Sequence, residues 1–127
     1  MQIHEAAENY LETILVLQKR NGTVRSSEVA RELGFSKPTV SQYMKSFREN
    51  GYVTADSEGS LSLTRKGLEI AERIYERHVL IARFLMALGV DEETALADSC
   101  KMEHDISEQS FRCLQRHLKQ LEETGAL

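Results

Sequence analysis

The sequence predicts a mainly α protein: an N-terminal winged helix-turn-helix over residues 1–64, then an all-helical part over residues 65–127. Three observations carry this. Two amphipathic segments, SSEVAREL and KPTVSQYMKSFRE, are joined by a short turn holding Gly34. Two short alternating segments in YVTADSEGSLSLT flank Asp56-Ser57-Glu58-Gly59, which reads as a hairpin with glycine in its turn. From Arg65 onward, apolar residues recur at helical spacing with no strand pattern.

The elements follow in order. Tyr10, Leu11, Ile14, Leu15 and Leu17 mark a first amphipathic helix over about His4 to Arg20, which Asn21-Gly22 ends. Ser26 or Ser27 is placed to cap the second helix, with Val29, Ala30 and Leu33 facing inward. Ser36 caps the third. Pro38 fits its first turn, Val40, Tyr43, Met44 and Phe47 form its buried stripe, and Gly51 stops it. A long helix from Arg65 to Leu88 ends at Gly89. Asp91 caps the next, and Ser107 caps a last one with Phe111, Leu114, Leu118 and Leu121 inward.

Composition excludes several classes. Hydrophobic content of 41% is enough for a core. No apolar run approaches the roughly 20 residues that cross a bilayer, and MQIHEAAENY lacks the apolar stretch of a signal peptide. The expectation is a cytoplasmic protein without membrane partners. There Cys100 and Cys113 stay reduced, so Cys100 suits a ligand role, and Cys113, among apolar positions, is expected to be a buried thiol.

The net charge of −4 conceals an asymmetry. Lys19 to Glu49 holds seven basic residues against three acidic ones, whereas Leu85 onward holds nine acidic against four basic. A basic first part and an acidic second part fit DNA at one end and a cation at the other.

A recognition helix presents its N-terminal residues to base edges in the major groove. Here these are Ser36, Lys37, Pro38, Thr39, Ser41, Gln42 and Lys45. Gln42 has the amide to pair adenine, and Lys37 or Lys45 reaches guanine or phosphate. Ser36 and Thr39 suit phosphate or a thymine methyl, and Arg25 suits phosphate. Read alone, the same residues make a solvated helix face; the wing and the local positive charge favour double-stranded DNA.

Cys100, Glu103 and His104 stand at i, i+3 and i+4 in CKMEHDIS, a spacing that puts them on one face of a helix. Thiolate, carboxylate and imidazole together are a donor set for a transition metal. C-x-x-E-H alone is a weak signal. Beside a DNA-reading module it points to a metal-sensing repressor. A metal hydrolase is the competing class, but no nucleophile triad, phosphate loop or H-E-x-x-H helix is present. A winged-helix regulator of an organic ligand or of redox state, with Cys100 as the switch, is the third.

The order of these motifs resembles the diphtheria toxin repressor family of iron- and manganese-dependent repressors. ENYLETILVL, SKPTVSQYMKSFRENGYV, LSLTRKGLEIA, RHVLIARFL and CKMEHDIS carry the resemblance over almost the whole chain. It implies metal ligands at Asn9, Glu12, His78, Cys100, Glu103 and His104. Taken singly, His78 on an apolar helix reads as a core histidine, and Glu12 as a solvated residue. Asn9 falls where family members carry Met or Asp. Ala82 and Leu96 stand where members carry a glutamate and a histidine, so the iron-type second site is incomplete. The chain ends at Leu127, which implies a short form without the extra C-terminal domain. The resemblance further implies a homodimer paired through the C-terminal helices, on a palindromic operator, with metal fixing the spacing of the two reading helices. Cys100 favours Fe2+, with Mn2+ second.

Overall fold

The computed structural model describes residues 3–125. It divides into two compact units, Met1–Arg73 and Ile74–Leu127. The element order is α1 (Glu5–Asn21), α2 (Ser26–Leu33), α3 (Lys37–Glu49), β1 (Val53–Ala55), β2 (Leu61–Leu63), α4 (Arg65–Ala87), α5 (Glu92–Met102) and α6 (Glu108–Glu123). α4 starts in the first unit and ends in the second.

In the first unit the apolar stripes of α1, α2 and α3 close on one core: Tyr10, Leu11, Ile14, Val29, Val40, Met44 and Phe47 are buried. Aromatic side chains tie two of these stripes together. Tyr10 stacks on Tyr43 with ring centroids 4.3 Å apart, and Phe47 meets Tyr10 and Tyr52 edge-on. Burial, with Tyr43 adding to it, pushes the Tyr10 phenol above its usual pKa. Gly22 and Gly34 end α1 and α2 at positive φ, where a side chain would be strained.

The cap of α2 differs from expectation. Its N-cap is Arg25, and Ser26 is already helical. The Arg25 N–H donates to the Glu28 carboxylate at 3.1 Å, so the acid at the third helical position does the capping. Ser36 caps α3 as expected, accepting from the Thr39 N–H, with Pro38 in the first turn.

β1 and β2 form the antiparallel wing in the register Val53↔Leu63, Thr54↔Ser62 and Ala55↔Leu61. Asp56 holds its turn by accepting from the Glu58 and Ser60 N–H groups, both at 2.9 Å. The wing's base is fixed twice: Leu61 N–H donates to the Val24 carbonyl, and Thr64 Oγ1 donates to the Gly51 carbonyl at 2.6 Å. At the start of α4, Gly67 lies against this base. A Cβ there would stand 2.1 Å from the Tyr52 carbonyl oxygen.

In the second unit, Ile74 and Ile81 of α4, Ala95 of α5, and Phe111 and Leu118 of α6 are buried. Asp91 and Ser107 cap α5 and α6 by accepting from Thr94 and Ser110 N–H groups. Cys113 departs from expectation. It is exposed on α6, because Phe111, Leu114 and Leu118 set the inward stripe and residue 113 falls outside it. No helix among the described residues is long and apolar enough to cross a membrane.

Candidate metal centre and DNA-reading face

Three donor atoms converge in the second unit. His78 Nδ1 lies 2.9 Å from Glu103 Oε2 and 3.7 Å from Cys100 Sγ. One ligand atom from each of the three residues lies within 4.8 Å of the other two. A single ion bonded at about 2.0–2.3 Å spaces its nitrogen, oxygen and sulfur donors about 3–4 Å apart, a range that holds the two distances from His78 Nδ1, 2.9 and 3.7 Å. Cys100 is exposed, His78 half-buried and Glu103 fully buried. Burying a carboxylate is costly unless positive or donor groups meet it. Glu103 meets imidazoles on both oxygens, since His104 Nε2 stands 3.3 Å from Oε1.

The local chain explains this geometry. α5 ends at Met102, so Cys100, Glu103 and His104 do not share one regular helix as the spacing predicts. Glu103 is the C-cap and keeps helical angles, φ −61° and ψ −26°, which preserves its i, i+3 relation to Cys100. His104 stands in the turn beyond and faces the other carboxylate oxygen, and the three-residue cluster does not include it. Both side chains are covered, Glu103 at 0% and His104 at 1% exposure.

Two buried polar residues behind the cluster escape sequence reasoning. Arg77 holds the turn: Nη1 donates to the Glu103 carbonyl at 3.2 Å and the Ile106 carbonyl at 2.9 Å, and Nη2 donates to Glu108 at 2.8 Å. The Arg77 guanidinium, with Arg112 second, holds the Glu108 carboxyl below the usual carboxylate range. Ser99 holds the histidine, its Oγ donating to the His78 carbonyl at 2.6 Å. The available signal for Arg77 was its place between Ile74 and Ile81 on the inward face of an amphipathic helix, where a charge must be compensated. Ser99 carried no comparable signal.

Asn9 and Glu12 lie on α1 in the first unit, one helical turn apart and half-buried. Asn9 borders a cavity of about 420 Å³ with His4, Glu5, Ala6, Leu33 and Phe35. Ala82 is buried and Leu96 exposed, and neither supplies a donor atom.

On the candidate reading face, Lys37, Pro38, Thr39, Ser41, Gln42 and Lys45 are exposed along α3, while Val40, Met44 and Phe47 are buried. Ser36 and Thr39 bond each other through their hydroxyls at 2.8 Å. Arg25 is exposed where residues 25 and 60 bridge to the wing.

Two family models together span nearly the whole chain. Residues 2–61 match the N-terminal DNA-binding domain of the iron-dependent repressors, and residues 64–125 match their metal-binding and dimerisation domain. The chain belongs to the iron-dependent repressor family. This family consists of DNA-binding transcriptional regulators, so the hydrolase reading falls. An uncharacterised HTH-type transcriptional regulator of Methanocaldococcus jannaschii is 35% identical over 107 residues, covering 83% of this chain and 86% of that protein. The transcriptional regulator MntR of Escherichia coli O6:H1 is 34% identical over 107 residues, covering 84% and 69%. Among solved structures, the manganese regulator SloR superposes with a TM-score of 0.76 at 28% identity over 94% of this chain. A manganese-dependent repressor complexed with manganese gives 0.81 at 25% identity over 88%. The chain spans 55% and 52% of those two structures' own lengths.

Proposed function

We propose that this iron-dependent repressor family member binds a palindromic operator as a homodimer when loaded with Fe2+, or with Mn2+ as second choice. The observation that carries this is the convergence of His78 Nδ1, Cys100 Sγ and Glu103 Oε2 within 4.8 Å. Residues 1–64 serve as the DNA-binding part, with Arg25, Ser36, Lys37, Pro38, Thr39, Ser41, Gln42 and Lys45 contacting the duplex. Residues 65–127 serve for metal binding and pairing. His104, Asn9 and Glu12 join the ligand set on the strength of their family positions.

Bound there, the cation supplies the positive charge that the buried carboxylate and the thiolate call for. The chain's own residues do the rest: as ligands Glu103 and Cys100 would bring negative charge and His78 a neutral nitrogen, while Arg77 fixes the turn. The thiolate of Cys100 is a softer donor than a carboxylate and favours Fe2+ over Mn2+. Coupling requires that the loaded protein prefer DNA over the empty one.

The test is anaerobic. Duplexes selected from a randomised library with Fe2+ present are titrated with protein under Fe2+, Mn2+, Zn2+ or chelator. The expected result is binding that chelator removes and Fe2+ restores at the lowest free-ion concentration. Glu103→Gln keeps the buried shape and removes the charge, so it should raise the metal midpoint about tenfold or more. DNA binding indifferent to chelator in the wild type would end this reading.

A further inference from the structure

Ser99 is fully buried in α5, next to Cys100. Its hydroxyl carries one proton, and the 2.6 Å contact to the His78 carbonyl uses it. The oxygen lies 3.2 Å from His78 Nδ1 and accepts from it in the tautomer that carries its proton there, a contact that an ion on Nδ1 would replace. One small side chain therefore touches both the backbone and the ring of the same histidine, and the bond to the backbone is the one that persists when Nδ1 takes an ion.

The carbonyl does not need this bond. α4 runs from Arg65 to Ala87, so the His78 carbonyl already receives the N–H four residues on. Among the contacts of Ser99, the backbone bond is thus surplus to helix formation. Its effect is to fix α5 on α4 at the level of the ring, and the contact at Nδ1 restricts the ring's rotation. These restraints act on the nitrogen that meets Glu103 and Cys100.

We propose that Ser99 is a positioning residue for metal binding: it holds His78 Nδ1 against Glu103 and Cys100 before an ion arrives. The inference rests on the metal reading of the cluster. Losing an outer-shell contact that orients a ligand typically costs about 10–100-fold in metal affinity, and here that contact is the bond to the His78 carbonyl.

The test is Ser99→Ala, which keeps a good helix former at a buried helical position. Mn2+ and Co2+ affinities are measured anaerobically on the full chain without DNA, by competition with a chelating dye. The expected result is a 10–100-fold rise in the dissociation constant for both ions. Two further readouts separate positioning from mere stability. At saturating metal, DNA affinity should match wild type. In the metal-free protein, three-bond couplings across the His78 Cα–Cβ bond should become averaged in the variant and stay at a single rotamer in wild type. Wild-type metal affinity in Ser99→Ala overturns the inference while leaving the metal site standing. So does a DNA affinity that falls in parallel at saturating metal. A wild-type chain that takes up neither ion overturns the metal reading, and this inference with it.

Discussion

At the scale of single residues, the proposed preference for Fe2+ rests on Cys100. It is the exposed member of the cluster, its Sγ 3.7 Å from His78 Nδ1. Cys100→Glu exchanges a soft donor for a hard one and keeps a negative charge. The variant's response should move from Fe2+ towards Mn2+, read as the ratio of the two midpoints for DNA binding. An unchanged ratio would put the thiol outside the ligand set. The i, i+3 spacing made Cys100 and Glu103 legible in the sequence because side chains three apart on helical backbone are neighbours whatever lies around them. The burial of Glu103 and His104 was not legible. It depends on Arg77 pulling the turn after α5 against α4, a contact between residues 26 and more positions apart in the chain.

At the scale of elements, α3 separates into a buried stripe and an exposed one. Lys37→Ala should weaken binding to all sequences alike and flatten the salt dependence by about one unit, if Lys37 neutralises one phosphate. Gln42→Ala should cost about 1–3 kcal/mol at one base pair and relax the preference there. Binding isotherms over a salt series and a panel of single-base operator variants measure both. If neither variant differs from wild type, α3 is not the reading helix. The wing gives a separate prediction. Gly67→Ala would drive its Cβ to 2.1 Å from the Tyr52 carbonyl, a backbone atom unable to step aside without moving the wing's base. The loss of stability should reach about 1–3 kcal/mol or more, measured by denaturant unfolding. Helix and hairpin positions were legible from periodicity, Gly34, Gly51 and the Asp56–Gly59 turn. The cap of α2 was not, because a serine before an apolar run and a glutamate three residues further on offer the same N–H groups alternative acceptors. Here Glu28 takes that of Arg25.

At the scale of the molecule, two carboxyls of the second unit predict how acid should act on stability. The Thr94 backbone N–H, then its hydroxyl, holds the Asp91 carboxyl below its ordinary range, and Arg77 and Arg112 do the same for Glu108. A depressed folded-state pKa gives stability that is present above the unfolded value and is lost as pH falls through the folded one. Melting temperature should therefore hold near neutrality and fall below the ordinary carboxylate range. In Asp91→Asn, which still caps α5, and in Glu108→Gln, part of that fall should vanish. A wild-type and Asp91→Asn pair with the same acid dependence would remove Asp91 from this account.

The exposure of Cys113 gives the chain a built-in chemical ruler. Both thiols are open to solvent, one in the donor cluster and one on α6 outside it. A thiolate held by a cation is a poor nucleophile, so the two sulfurs should part company when metal is added. Iodoacetamide should label both in the presence of chelator. With Mn2+ or Fe2+, the rate at Cys100 should drop while the rate at Cys113 stays as the internal standard. Mass spectrometry of the two peptides then reads occupancy at one sulfur directly, without an operator sequence or a reporter. Equal slowing at both would mean that the ion acts through assembly or shape rather than at Cys100.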